Sequence, residues 1–133
     1  LVVTVGKNDL LDKYFAGSAY TAAWYLGLVD GATTPTYAAG DTLASHAGWT
    51  ESTAYSGSNR ATVAWNAASA GSKASTATSF SINATATIAG ALLTVTQVRA
   101  TTTGVLYSAG SFSGGNRSVA NGDTLNVTYT ASV

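Results

Sequence analysis

From residue 61 onward the chain carries short segments whose apolar side chains recur at every second position, and nowhere does a helical period last long enough to carry the chain between parallel strands. Ala61, Val63 and Trp65 share one parity, Phe80 and Ile82 follow, and Leu92 to Val98 continues the alternation. After the turn signal Asn121-Gly122-Asp123, Leu125, Val127 and Tyr129 alternate with Asn126, Thr128 and Thr130, the cleanest strand pattern in the chain. The connections, such as AASAGSKAS and NRSVANGD, are small and polar, as antiparallel turns require. About seven or eight short strands result, at the spacing of a sandwich or barrel.

The amino-terminal quarter differs. Between Asn8 and Gly17, Leu10, Leu11, Tyr14 and Phe15 fall at helical spacing, with Asn8 or Asp9 placed to cap and Gly17 to terminate. Residues 22–29, AAWYLGLV, form an apolar run of strand length that ends at Asp30-Gly31, before a loop holding the sole proline, Pro35. Asp41 to Trp49 reads as loop with one possible turn. The 133 residues make one domain, able to bury roughly two thirds of its unfolded surface. The predicted fold is all-β, an antiparallel β-sandwich, jelly-roll-like or immunoglobulin-like, with one short N-terminal helix. Its parts are an arm over 1–7, the helix over 8–17 and the sandwich over 22–133.

Charge excludes several functions. Six basic and six acidic residues cancel, and only 9% of the chain is charged, against about 25% in ordinary soluble domains. Without net positive charge or a basic cluster, the sequence-independent attraction to phosphates is missing, so neither nucleic acid nor anionic membrane is an expected partner. No apolar run approaches the roughly 20 residues of a membrane span, and LVVTVGKNDL has no signal-peptide pattern. More than half the residues are Ala, Gly, Ser or Thr. The exterior must therefore be hydroxyls and methyls, a surface that invites neighbours.

Candidate chemistry is sparse. His46 is the sole histidine, and no G-x-S-x-G elbow surrounds any serine, so a structural role for His46 is expected. Asp9 and Asp12 suit a helix N-terminus, while Asp30, Asp41, Glu51 and Asp123 sit at turn-like positions where a carboxylate bonds local backbone. The chain has no cysteine, no H-E-x-x-H, no calcium-loop spacing and no phosphate loop, so no catalytic, metal or cofactor site is expected. The triplets at Asn83, Asn116 and Asn126 are no more than chance supplies in a Ser/Thr-rich chain. Strand parity assigns Trp24 and Trp65 to the core. Trp49, Tyr37, Tyr55 and Tyr20 fall in loops, where large rings either meet a partner or pack onto the body.

The segments KNDLLDKYFAGSAYTAAWYLGLVDG, TIAGALLTVTQ, GVLYSAGSF and RSVANGDTLNVTYTA together resemble a family of small virion structural proteins of tailed bacteriophages. In that family a short helix precedes a Y-L-G-L strand, and the last strands follow G-x-L-Y-S-x-G-x-F and V-x-x-G-D-T-L patterns. Here these correspond to Gly104 to Phe112 and Val119 to Leu125. The resemblance covers both ends of the chain; residues 33–79 carry none of its motifs. It implies a non-enzymatic protein on the outer surface of the virion, cementing or decorating the capsid by bridging adjacent major capsid protein subunits, on a jelly-roll-like body.

Self-association as a dimer or trimer is also expected. The expected interface begins with the arm, Leu1, Val2, Val3 and Val5, whose apolar side chains suit a neighbour's sheet edge or a home edge. It continues with the loop aromatics Tyr20, Tyr37, Trp49 and Tyr55. The rival is a carbohydrate-binding or host-recognition module of a tail or head fibre, using the same loop aromatics.

Overall fold

A computed structural model describes residues 1–15 and 23–132. The element order is α1 (Thr4–Phe15), β1 (Tyr25–Asp30), β2 (Ala61–Thr62), β3 (Ser72–Ala74), β4 (Thr78–Ser81), β5 (Ala86–Thr94), β6 (Leu106–Ser111), β7 (Arg117–Val119), β8 (Thr124–Val127) and β9 (Thr130–Ser132). Every strand pairing is antiparallel, so the chain is all-β with one short helix. No helix among the described residues is long and apolar enough to cross a membrane.

The main sheet runs β2-β1-β5-β6, and β7 joins the first residues of β5 on the same side as β6. Leu26 pairs with Leu93 and Gly27 with Leu92, so one register sends alternate residues of both strands to opposite faces. On one face Leu26, Leu28, Ile88 and Leu93 pack with Tyr55, Val63, Phe80, Ile82 and Val127. Of those partners Phe80 lies in β4 and Val127 in β8, which pair with each other, while Ile82 follows β4 and bridges Tyr55; these, with β3 paired to β9, form a second layer, and Val63 continues the main sheet past β2. On the other face Val29, Leu92, Leu106 and Ala109 pack with Val3, Leu43 and Trp49, from the amino terminus and the loop before β2. A strand covered on both faces has no polar side to show. This is why β1 reads in sequence as an unbroken apolar run.

The amino terminus departs from the expected arm over 1–7 and helix over 8–17. The helix begins at Thr4, and only residues 1–3 are extended. Val3 donates its N–H to Tyr107 O while its carbonyl accepts from Lys7 N, which starts the helix; the Thr4 N–H, orphaned by the helix start, goes to Ala39 O at 2.8 Å. Tertiary carbonyls do the capping expected of Asn8 or Asp9. Asp9 instead faces Lys13 one turn later at 3.8 Å.

Gly6 is the buried residue of this helix, and a Cβ there would land on the Tyr107 carbonyl. A residue that normally weakens a helix interior thus permits helix and strand backbones to touch. Trp24 and Trp65, expected in the core, are half-buried and pack along its margin.

Candidate functional site

The side chains expected to meet a partner divide into those the fold consumes and those it leaves outside. Residues 1–3 lie along β6: Val2 bridges Ser108, Ala109 N donates to Leu1 O, and the Leu1 ammonium donates to Ala109 O. The home edge therefore takes the arm's hydrogen bonds. Val3 is 1% exposed and belongs to the core, whereas Leu1 and Val5 stay accessible. The arm is not a free strand that a neighbouring sheet can borrow.

Two loop aromatics are likewise interior. Trp49 is buried, its Nε1 donates to Asp41 Oδ2 at 2.9 Å, and His46 stacks on its ring at 3.9 Å between centroids. Tyr55 is buried edge-on to Phe80, with the Arg99 guanidinium 4.7 Å above its ring centre. Burial, reinforced by the Glu51 carboxylate, pushes its hydroxyl well above the usual tyrosine range despite the nearby arginines. Tyr37 is half-covered beside Trp49, and its hydroxyl accepts from Ser111 Oγ at 3.3 Å. Tyr20 lies outside the described residues. Trp49 and Tyr55 therefore offer no stacking platform for a sugar, and of the described trio only Tyr37 reaches the surface in part.

The groups weighed for chemistry are engaged locally. The Nδ1 of His46 is hydrogen-bonded with Trp49 O at 2.9 Å, so the imidazole serves as a strut for the loop. Asp30 accepts from Ala32 N, Asp41 from Ala38 N, and Asp123 from Ala120 N, each within a turn of its own. Glu51 is different. It receives both Nε and one terminal nitrogen of Arg60 at 2.8 Å, plus Ala100 N at 2.8 Å, and both side chains of the pair are buried. Arg60 also donates to Thr96 O. A Cβ on Gly27 would collide with Glu51 Oε1, so that glycine makes room for the carboxylate over β1. This bidentate pair is a clasp between segments, with its hydrogen-bonding capacity spent on protein. No cluster of three or more metal-ligating side chains occurs among the described residues.

What the fold leaves outside is the second half of α1. Leu10 and Leu11 are about half exposed, at 46% and 51%, while Tyr14 and Phe15 are 79% and 77% exposed with their rings edge-on at 5.0 Å. These are the residues whose helical spacing marked the helix in the sequence. The helix instead attaches through Gly6 and its first turn, and its large apolar side chains project. Beneath them a shallow apolar hollow of about 270 Å³ is lined by Asp9, Leu10, Lys13, Tyr14, Trp24 and Tyr107. Contiguous exposed apolar surface of this kind marks a contact site more often than chance. Spacing alone reveals that a stripe exists, not which side the body occupies.

A second concave region, about 700 Å³, runs between β6 with the following turn and the β8–β9 segment. Its lining is mostly hydroxyl and backbone, with Arg117 as its only Lys, Arg, Asp or Glu. The Ser108 Oγ to Tyr129 Oη hydrogen bond, 2.7 Å long, ties the two layers there. No protein-family model matches the chain, and no curated protein matches it in sequence.

Proposed function

We propose that this chain is a non-enzymatic structural protein of a tailed-bacteriophage virion, seated on the outer surface of the capsid and bridging adjacent major capsid protein subunits. The reading begins from the motifs at both ends of the sequence. The single observation that carries it is the projecting apolar cluster Leu10, Leu11, Tyr14 and Phe15 on a chain with so few charges. A protein that binds the assembled lattice but not its separated subunits draws the equilibrium toward the intact shell by mass action. Each contact is allowed to be weak when icosahedral repetition multiplies it, and an uncharged grip changes little with ionic strength.

The test is cosedimentation of the purified chain with phage heads assembled without it, at rising salt. The expected result is saturable binding at lattice stoichiometry, little changed between low and high salt. The double variant Leu11→Ser, Phe15→Ser is expected to reduce affinity at least tenfold with an unchanged circular dichroism spectrum. Heads that leave the wild-type chain in the supernatant overturn the proposal. Saturation at a few copies confined to the tail favours the host-recognition reading instead.

A further inference from the structure

Two observations meet on the side of the molecule where the large groove lies. The first is an unpaired strand edge. β8 has β4 as its sheet partner and β9 has β3, and among the described residues neither has a second. Ile82 N donates to Asp123 O and Ser75 N to Tyr129 O. Hydrogen bonding alternates along an antiparallel strand, so the odd-numbered residues from 123 to 131 address β3 and β4. The backbone groups of Thr124, Asn126, Thr128, Thr130 and Ser132 then point the other way. The groove runs along this edge, and its wall includes every residue from 125 to 132.

The second observation is the character of that edge. Proteins commonly blunt exposed strand edges with charges, proline or bulges. From Thr124 to Ser132 there is no charged residue and no proline. The sequence TLNVTYTAS is also self-complementary under two-fold rotation about Thr128. Antiparallel pairing with its own copy places Thr128 opposite Thr128, Asn126 opposite Thr130 and Thr124 opposite Ser132, all exposed hydroxyl or amide side chains. On the opposite face it sets Val127 against Tyr129 and Leu125 against Ala131. Every polar residue meets a polar one, every apolar residue an apolar one, and no like charges oppose. The outward backbone groups of the even residues are also in phase for this register. β6, across the groove, has no such edge to offer opposite Tyr107 to Ala109, because residues 1–3 already occupy it.

We infer that this protein forms a two-fold symmetric dimer by antiparallel pairing of the Thr124 to Ser132 edge with the same edge of a second copy. This deepens the proposed function by naming the surface used for self-association, yet it is tested on the free chain without particles. Sedimentation equilibrium of the full chain is expected to show a monomer–dimer equilibrium. Amide exchange at Asn126, Thr128 and Thr130 is expected to slow as concentration rises.

Thr128→Lys places two ammonium groups face to face and is expected to weaken the dimer at least tenfold; Thr128→Asp should do the same. An equimolar mixture of the two is expected to regain association as a heterodimer, which a merely structural role for Thr128 would not produce. Thr128→Pro removes an outward N–H and no inward one, and is also expected to give monomers. A monomeric wild type, a trimer, or a dimer that survives Thr128→Lys overturns the inference. Since particle binding is read separately by cosedimentation, either result stands without the other.

Discussion

The two long sides of the molecule are closed by different means. On the side of β2, the chain itself crosses from one layer to the other: Ala61 and Thr62 pair with β1, and a few residues later Trp65 bridges Ser75 and Asn66 N donates to Ala74 O. Around this crossing lie Glu51, Arg60 and Arg99, with Arg99 donating to Tyr55 O at 2.7 Å. On the side of β6 the chain passes between the layers at one end, where β7 of the main sheet leads through residues 120–123 into β8. The layers are also joined on this side by the Ser108–Tyr129 hydrogen bond, and a groove of about 700 Å³ remains. A chain with only twelve charged residues thus places three of them on the closed side, where irregular segments need fixed partners. It leaves the β8–β9 edge on the other side with none. Scarcity of charge here is a matter of location.

The sharpest way to break this contrast is to remove half of the buried pair. Glu51→Ala strands the Arg60 guanidinium, 1% exposed, in the interior. The expected loss is about 3–5 kcal/mol of unfolding free energy, measured by denaturant titration. Removing both partners is expected to cost less than the sum of the single losses, because the orphaned charge disappears with its partner. The part-buried Thr96 O then lacks its donor, so the double variant does not return to wild-type stability. A Glu51→Ala variant within 1 kcal/mol of wild type would show that the clasp is solvated and the two sides are alike.

A milder comparison sets a covered edge against a bare one. Val3 is buried beside β6, and Val3→Ala is expected to cost about 2 kcal/mol through lost burial and an unfilled hole. Thr128→Ala, on the unpaired edge, is expected to change monomer stability by no more than about 0.5 kcal/mol. Equal effects at the two positions, measured at a concentration where the chain is monomeric, would remove the distinction between an edge filled by its own chain and one awaiting another.

The same contrast separates what could be read from sequence from what could not. Strand periodicity reports which residues face inward, and it placed the β4 and β8 residues Phe80, Leu125 and Val127 on the side where they are found. It carries no information on what lies beyond a strand's edge. The arm expected over 1–7 therefore read first as a strand for a neighbour's sheet, with a home edge as the alternative, and residues 1–3 lie on the home edge. The helix start at Thr4 escaped notice because its cap is the carbonyl of Ala39, a distant partner that no local motif announces. Glu51 read as a turn carboxylate since its partner's burial is a tertiary fact. Trp49 and Tyr55 read either as partner contacts or as rings packed onto the body because their segments look like loops, and loops that cover a sheet face bring core residues with them. Leu10, Leu11, Tyr14 and Phe15 were visible as a stripe, but a periodic pattern does not say which way the body lies.

The smallest expected effect concerns the Ser108–Tyr129 hydrogen bond on the open side. Tyr129→Phe removes the hydroxyl that meets Ser108 Oγ, and Ser108 is buried, so the expected cost near neutral pH is about 1 kcal/mol. The alkaline behaviour is more diagnostic. Burial holds the Tyr129 hydroxyl above the usual tyrosine range, with Tyr107 adding to the effect and the Ser108 hydrogen bond opposing it. Tyr37, Tyr55 and Tyr107 are shifted the same way, chiefly by burial. Each keeps its proton in the folded chain at a pH where the unfolded chain has released it. Their contribution to stability is thus complete below pH about 10, the unfolded value, and is lost as pH rises toward the folded values. In denaturant titrations from pH 8 to 11, wild-type stability is expected to hold and then fall above pH about 10. The fall is expected to be shallower in Tyr129→Phe, by at most about 1.4 kcal/mol per pH unit, the weight of one proton. Parallel profiles for the two proteins would mean that water already reaches the Tyr129 hydroxyl, and that the layers part along this side without help from a second copy.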